Sequence, residues 1–214
     1  LVDASNLVVL INLFVDNHTW NIVEFLCNRI LEYGENTFAL QTLADCYENT
    51  NDQEQTFQIW ERYIKVDYED ADIVKLLAEK KEQDGDLPNS IEYYKKALHR
   101  FINKKMFSNV KEIWEKLIVY IPDDVDFFFA IERKIVKVLN GERAAALLNY
   151  LVPHFLKKED WNTTIELLKR ILAYEPKNAA ARKQIVEAFR NKYVKHSQLE
   201  EYLRISNLSQ SWRS

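Results

Sequence analysis

The chain offers four histidines, two cysteines and three glycines for chemistry. His18, His99, His154 and His196 stand far apart, without the i, i+4 or short-loop spacing that fixes a metal. Gly34, Gly85 and Gly141 are isolated, so neither a phosphate-cradling loop nor a nucleophile elbow can be assembled from them. Acid pairs such as Asp123-Asp124 sit at predicted helix starts, where carboxylates cap free amides and complement the dipole. Capping explains them without catalysis, and no catalytic, cofactor-binding or metal-ligating residue is assigned. Cys27 and Cys46 fall on consecutive predicted helices and read as reduced core thiols.

What remains is the chemistry of recognition. Lys95, Lys96, Arg100, Lys104, Lys105, Lys111 and Lys116 form a basic run interrupted only by Glu112 and Glu115. Lys177, Arg182, Lys183, Arg190, Lys192 and Lys195 form a second. Either run suits phosphate or an acidic protein surface. A solvated helix face is the simpler reading, because no RNA-binding motif accompanies the runs and the net charge is -4. That total conceals a split, since residues 1–70 hold 13 acids and 3 bases and the remainder 20 acids and 26 bases. Tyr93-Tyr94 and Phe127-Phe128-Phe129 resemble ligand platforms, but neighbours on a helix point about 100° apart, so a member of each packs between helices. Trp212 follows the last predicted helix and is expected to dock on a continuation of the chain. The candidate partner contacts are therefore Lys95, Lys96, Arg100, Lys104, Lys105, Lys111, Arg182, Arg190 and Trp212.

The elements that carry these residues are helices. With 214 residues, 47% hydrophobic content and only three Gly and four Pro, the chain can bury a sizeable core but has few places to turn. Trp161 to Asn178 (WNTTIELLKRILAYEPKN) echoes Trp20 to Asn36 (WNIVEFLCNRILEYGEN), and both copies put apolar residues at helical spacing before a stop. Twelve helices are predicted. The first, Ala4 to Val15, is apolar on every side, so its second face requires a preceding segment or another subunit as cover. The eighth ends at Gly141, Pro153 should kink or divide the ninth, and Ser197-x-x-Glu200 should open the twelfth. No apolar run approaches the roughly 18 residues of a membrane span. The start at Leu1 and the end at SQSWRS lead us to expect a piece of a longer, soluble, cytoplasmic protein.

Predicted pairs starting at 3, 37 and 71, and again at 145 and 179, keep a spacing of 34 residues. That period, with Leu148, Leu151, Phe155, Leu168 and Pro176 in one copy and Leu40, Leu43, Tyr47 and Trp60 in another, resembles the tetratricopeptide repeat. The expectation is an all-α superhelical solenoid of about six pairs, forming one domain over 1–214, with an irregular, overlong pair around 105–144. IWERYIKVDYED and EIWEKLIVYIPDD are also similar to half-a-tetratricopeptide repeats of RNA-processing scaffolds. Positions that hold a peptide carboxylate in clamp-type tetratricopeptide domains are here Leu7, Ile11, Gln41 and Asp45, which does not support that mode.

Longer phrases carry a closer resemblance. NHTWNIVEFLCNRILEYGEN, VDYEDADIVKLLAEKKE, YYKKALHRFINKKMFSNVKEIWEKL and HSQLEEYLRISNLSQSWR are similar to the helical N-terminal extension of spirochaete-type Gre-family transcription elongation factors. In that family transcript cleavage depends on acids at a coiled-coil tip, and no residue of this chain maps onto them. The resemblance implies a non-catalytic protein-interaction scaffold whose partner is RNA polymerase or an associated factor, with no small-molecule substrate, cofactor or membrane. The alternative is an RNA-processing scaffold or a nucleic-acid-binding repeat using the basic second part.

Overall fold

The computed structural model describes residues 4–67 and 70–211, and those residues form eleven α-helices and no strand. They are α1 (Ala4–Asp16), α2 (Trp20–Leu31), α3 (Thr37–Asn49), α4 (Gln53–Val66), α5 (Ala71–Gln83), α6 (Leu87–Asn103), α7 (Phe107–Tyr120), α8 (Val125–Val138), α9 (Gly141–Lys157), α10 (Trp161–Tyr174) and α11 (Ala179–Ser211). The first ten coincide with the predicted helices to within a few residues. The predicted eleventh and twelfth are one helix, because no Gly or Pro interrupts 179–211. The Ser197 hydroxyl donates back to the Val194 carbonyl at 3.0 Å, a bond made inside a continuing helix, so the expected start is not there. Pro153 lies within α9 without dividing it, and Gly141 begins that helix where the sequence reading had it end the one before.

Two compact units emerge from the backbone contacts, 1–100 and 101–214. In the first, α2 packs on α1 and α3, and α3 on α4. Its core gathers Ile11, Val23, Leu40, Leu43, Trp60 and Tyr63. Cys27 and Cys46 are buried there as free thiols, and burial pushes them up to about 12 and about 11. In the second unit, α9 packs against α7, α8 and α10, and α10 also against α11. Trp114 of α7 joins three of these helices. Its indole meets Phe128 of α8 edge-on at 4.8 Å and donates to the Leu147 carbonyl of α9 at 2.9 Å.

Side-chain caps punctuate the helices. Asn36, Asp52, Asp70, Asp124, Asn140, Asp160 and Asn178 each accept from a first-turn amide, which satisfies a donor that no helical carbonyl can reach. A second device was not anticipated. His18, Asn51, Gly85, Lys105 and Glu159 are left-handed, with φ of 54°, 60°, 79°, 59° and 56°. After each, the next amide donates to the carbonyl five residues back at 2.8–3.0 Å. This is the Schellman ending. It occurs at α1–α2, α3–α4 and α5–α6, then at α6–α7 and α9–α10. In the 34-residue frame the fourth such turn belongs between α7 and α8. Instead α6 has one at both ends, and the α7–α8 link is a Pro122 turn in which Asp124 donates to Ile121 at 3.0 Å.

Left-handed backbone is costly for a side chain branched at Cβ. Glu159→Val should lower unfolding free energy in urea by about 1–2 kcal/mol, whereas Glu159→Gly should leave it unchanged or slightly higher.

Candidate interaction surfaces

The first basic run does not form a single charged face. Arg100 is only 6% exposed and Lys95 is half-buried, whereas Lys96 is exposed with its ammonium 5.3 Å from the Tyr93 ring. Lys104 and Lys105 are exposed in the turn after α6, where Lys105 takes the left-handed position. Lys111 lies 5.4 Å from the Tyr150 ring and 3.8 Å from Glu115, and hydrogen bonding to Tyr150 raises its pKa. Lys116 is half-buried. Of the aromatic clusters, Tyr94, Phe128 and Phe129 are buried, and Tyr94 donates to Glu82 at 2.6 Å.

The second run is more open. Arg182, Lys183 and Arg190 are exposed on α11, Lys177 is exposed just before it, and Lys192 is half-buried. Trp212 and the side chain of Lys195 lie outside the described residues. α11 buries Ala181 and Ala188 and leaves Val186 68% and Tyr193 63% exposed. Sequence reasoning missed these two, because a repeat frame assigns apolar helix residues to the core. An open apolar face also occurs on α1, where Ile11 is buried but Val9 and Leu13 are 70% and 55% exposed. Among the described residues nothing covers that second face.

Carboxylates in these helices hold structure together. Glu132 of α8, 1% exposed, accepts from the Arg170 guanidinium at 3.0 Å and from the Tyr174 hydroxyl, both of α10. Arg170 stacks over Phe129 at 3.9 Å and also binds Glu166 at 3.0 Å. Tyr174 in turn packs on Gly141, where an added Cβ would come within 2.8 Å of the ring. Asp123 accepts from Lys158 and lies 2.9 Å from the His154 ring. The Lys158 hydrogen bond first, then His154, hold its carboxyl below the usual range, so this link is lost as pH falls through that lowered value.

The described residues leave at least two concavities. One of about 490 Å³ is lined by Gln53, Glu54, Phe57, Glu61, Lys80 and Lys81, with Lys81 bound to Glu61 at 2.8 Å. The other, of about 420 Å³, is shallow and lies beside Tyr174 and Pro176. At the clamp positions Ile11 is buried and Gln41 donates to the Tyr63 hydroxyl at 2.7 Å. Among the described residues no group of three His, Cys, Asp or Glu is placed to hold a metal, and no helix is long and apolar enough to cross a membrane.

No family model matches the chain. It is 49% identical over its whole length to a Treponema pallidum protein named for GreA-associated domains. It is 40% identical over 198 residues, 92% of the chain, to the transcription elongation factor GreA of Borreliella burgdorferi. The chain spans 32% and 22% of those two relatives. Among solved structures, the MamA protein aligns over 78% of this chain and 87% of its own, at 15% identity and a TM-score of 0.40, too low to support an argument. The helix pairs and their spacing carry the fold assignment. The chain fits a tetratricopeptide-like helical extension of a Gre-family protein.

Two outcomes test the polar packing. Gly141→Ala should cost about 1–3 kcal/mol in urea unfolding, because the Tyr174 ring must move off its Glu132 bond. Burial, first among the causes, pushes Tyr47, Tyr63 and Tyr174 up to about 12, so their unfolded phenols ionise near pH 10 while the folded ones do not. That stabilisation is complete below pH 10 and is lost as pH rises from 10 to 12. A tyrosinate absorbance titration should show a late class of phenols that loses amplitude in Tyr174→Phe, Tyr63→Phe, Tyr47→Phe protein.

Proposed function

We propose that this chain is a non-catalytic protein-binding scaffold inside a Gre-like transcription elongation factor, working in the cytoplasm with RNA polymerase or a factor bound to it. The identity of 49% across the full chain to a protein named for GreA-associated domains carries the reading. The chemistry of the chain supports it. Acids such as Asp52, Asp160 and Glu132 serve as helix caps or as an ion pair between helices, and exposed basic and apolar residues on the helices are the materials of a docking surface. In this reading transcript cleavage belongs to other parts of the factor, and the helical region adds affinity or orientation. The exposed cations Lys104, Lys105, Arg182 and Arg190 also suit phosphate, so a nucleic-acid-binding repeat is the second reading.

Purified RNA polymerase should be retained by the immobilised chain and lost by about tenfold or more when Lys96, Lys104 and Lys105 are reversed to Glu. Retention by neither protein would overturn polymerase as the partner. Binding of an RNA or DNA oligonucleotide by fluorescence anisotropy, falling steeply with salt, would move the assignment to the second reading.

A further inference from the structure

The open face of α11 has a pattern that exposure alone does not describe. Ala179, Val186 and Tyr193 recur every seven residues, so they stack along one line of the helix. Val186 and Tyr193 are largely exposed. Arg182 lies on one flank of this line and Lys183 and Arg190 on the other, one helical turn from Val186 or a neighbouring step. The opposite face, through Ala181 and Ala188, is taken by α10, and Phe189 lies at its border, its ring stacked 6.4 Å from Tyr193 and 5.7 Å from Lys169 of α10. The helix is therefore anchored by one side and presents a heptad seam on the other.

From this geometry we infer that the α11 face docks an acidic amphipathic helix of a partner protein. The inference rests on the scaffold reading above and gives it a partner chemistry. A seam of small and apolar residues every seven positions accepts the knobs of a second helix, and cations beside that seam select Glu or Asp on the incoming flanks. Residues 179–194 carry Arg182, Lys183, Arg190 and Lys192 against Glu187 alone, so the face repels a second copy of itself and attracts an acidic one. A nucleic acid is the poorer fit. The exposed centre of the face includes an aliphatic side chain, Val186, where phosphate recognition would place a hydrogen-bond donor.

The probe is a fluorescein-labelled peptide of about three heptads with Leu along its seam and Glu on both flanks, and its companion carries Lys in place of every Glu. By anisotropy the 214-residue chain should bind the Glu peptide and not the Lys peptide. Val186→Asp should weaken binding by about tenfold or more, and combined Arg182→Glu, Lys183→Glu and Arg190→Glu should transfer preference to the Lys peptide. Circular dichroism confirms that the variants remain helical, and Lys65→Glu, exposed at the end of α4, serves as a control that should bind normally. Failure of the Glu peptide to bind, or binding insensitive to Val186→Asp, overturns the inference. So does an oligonucleotide that competes for the face with steep salt dependence. Because the peptide assay contains no polymerase, its failure is distinct from failure of the pull-down.

Discussion

A helix of 12–17 residues with one apolar stripe cannot hide that stripe by itself, and ten of the eleven helices here are of that length. This constraint makes each helix depend on its neighbours in sequence. It explains why α3 packs on both α2 and α4, and α9 on both α8 and α10. It also accommodates the open apolar residues of α1 and α11, the first and last of the described helices. The exposed face is a consequence of the stacking rule, and it supplies the surface on which recognition can act.

Polar groups set the register within that stack. Apolar stripes tolerate sliding, whereas the Trp114 indole on the Leu147 carbonyl and the Arg170 and Tyr174 contacts to buried Glu132 do not. Removing Arg170 would leave the Glu132 carboxylate without its counter-charge at 1% exposure, a larger loss than the net value of the pair. Gly141 belongs to the same arrangement, since its missing Cβ is the space in which the Tyr174 ring lies. Acids that resemble catalytic groups in composition are thus occupied in joining helices.

The candidate contacts change meaning once they are placed. Arg100 and Lys104 are four residues apart, but one is buried in α6 and the other is exposed in the following turn. A count of Lys and Arg along the chain weighs them equally, and only the exposed one can meet a partner. On α11 the reverse applies, for Val186 and Tyr193 appear as core residues in sequence and as surface in the structure. Relatives named for GreA match 100% and 92% of the chain, and the chain spans 32% and 22% of their length, so the helical region is a minor part of those longer proteins.

Helix content, most helix boundaries and the caps at Asp52, Asp124 and Asp160 were legible in the sequence, because periodicity and capping act within one or two turns of chain. The phrase-level resemblance likewise required no coordinates. What tertiary structure decided was non-local. It buried Arg100 in α6 and left one face of α11 open. The physical reason is the same in each case. A residue's local pattern states that it can be part of an amphipathic helix, but which face is covered depends on whether another helix arrives there, and that is settled by packing between segments far apart in the chain.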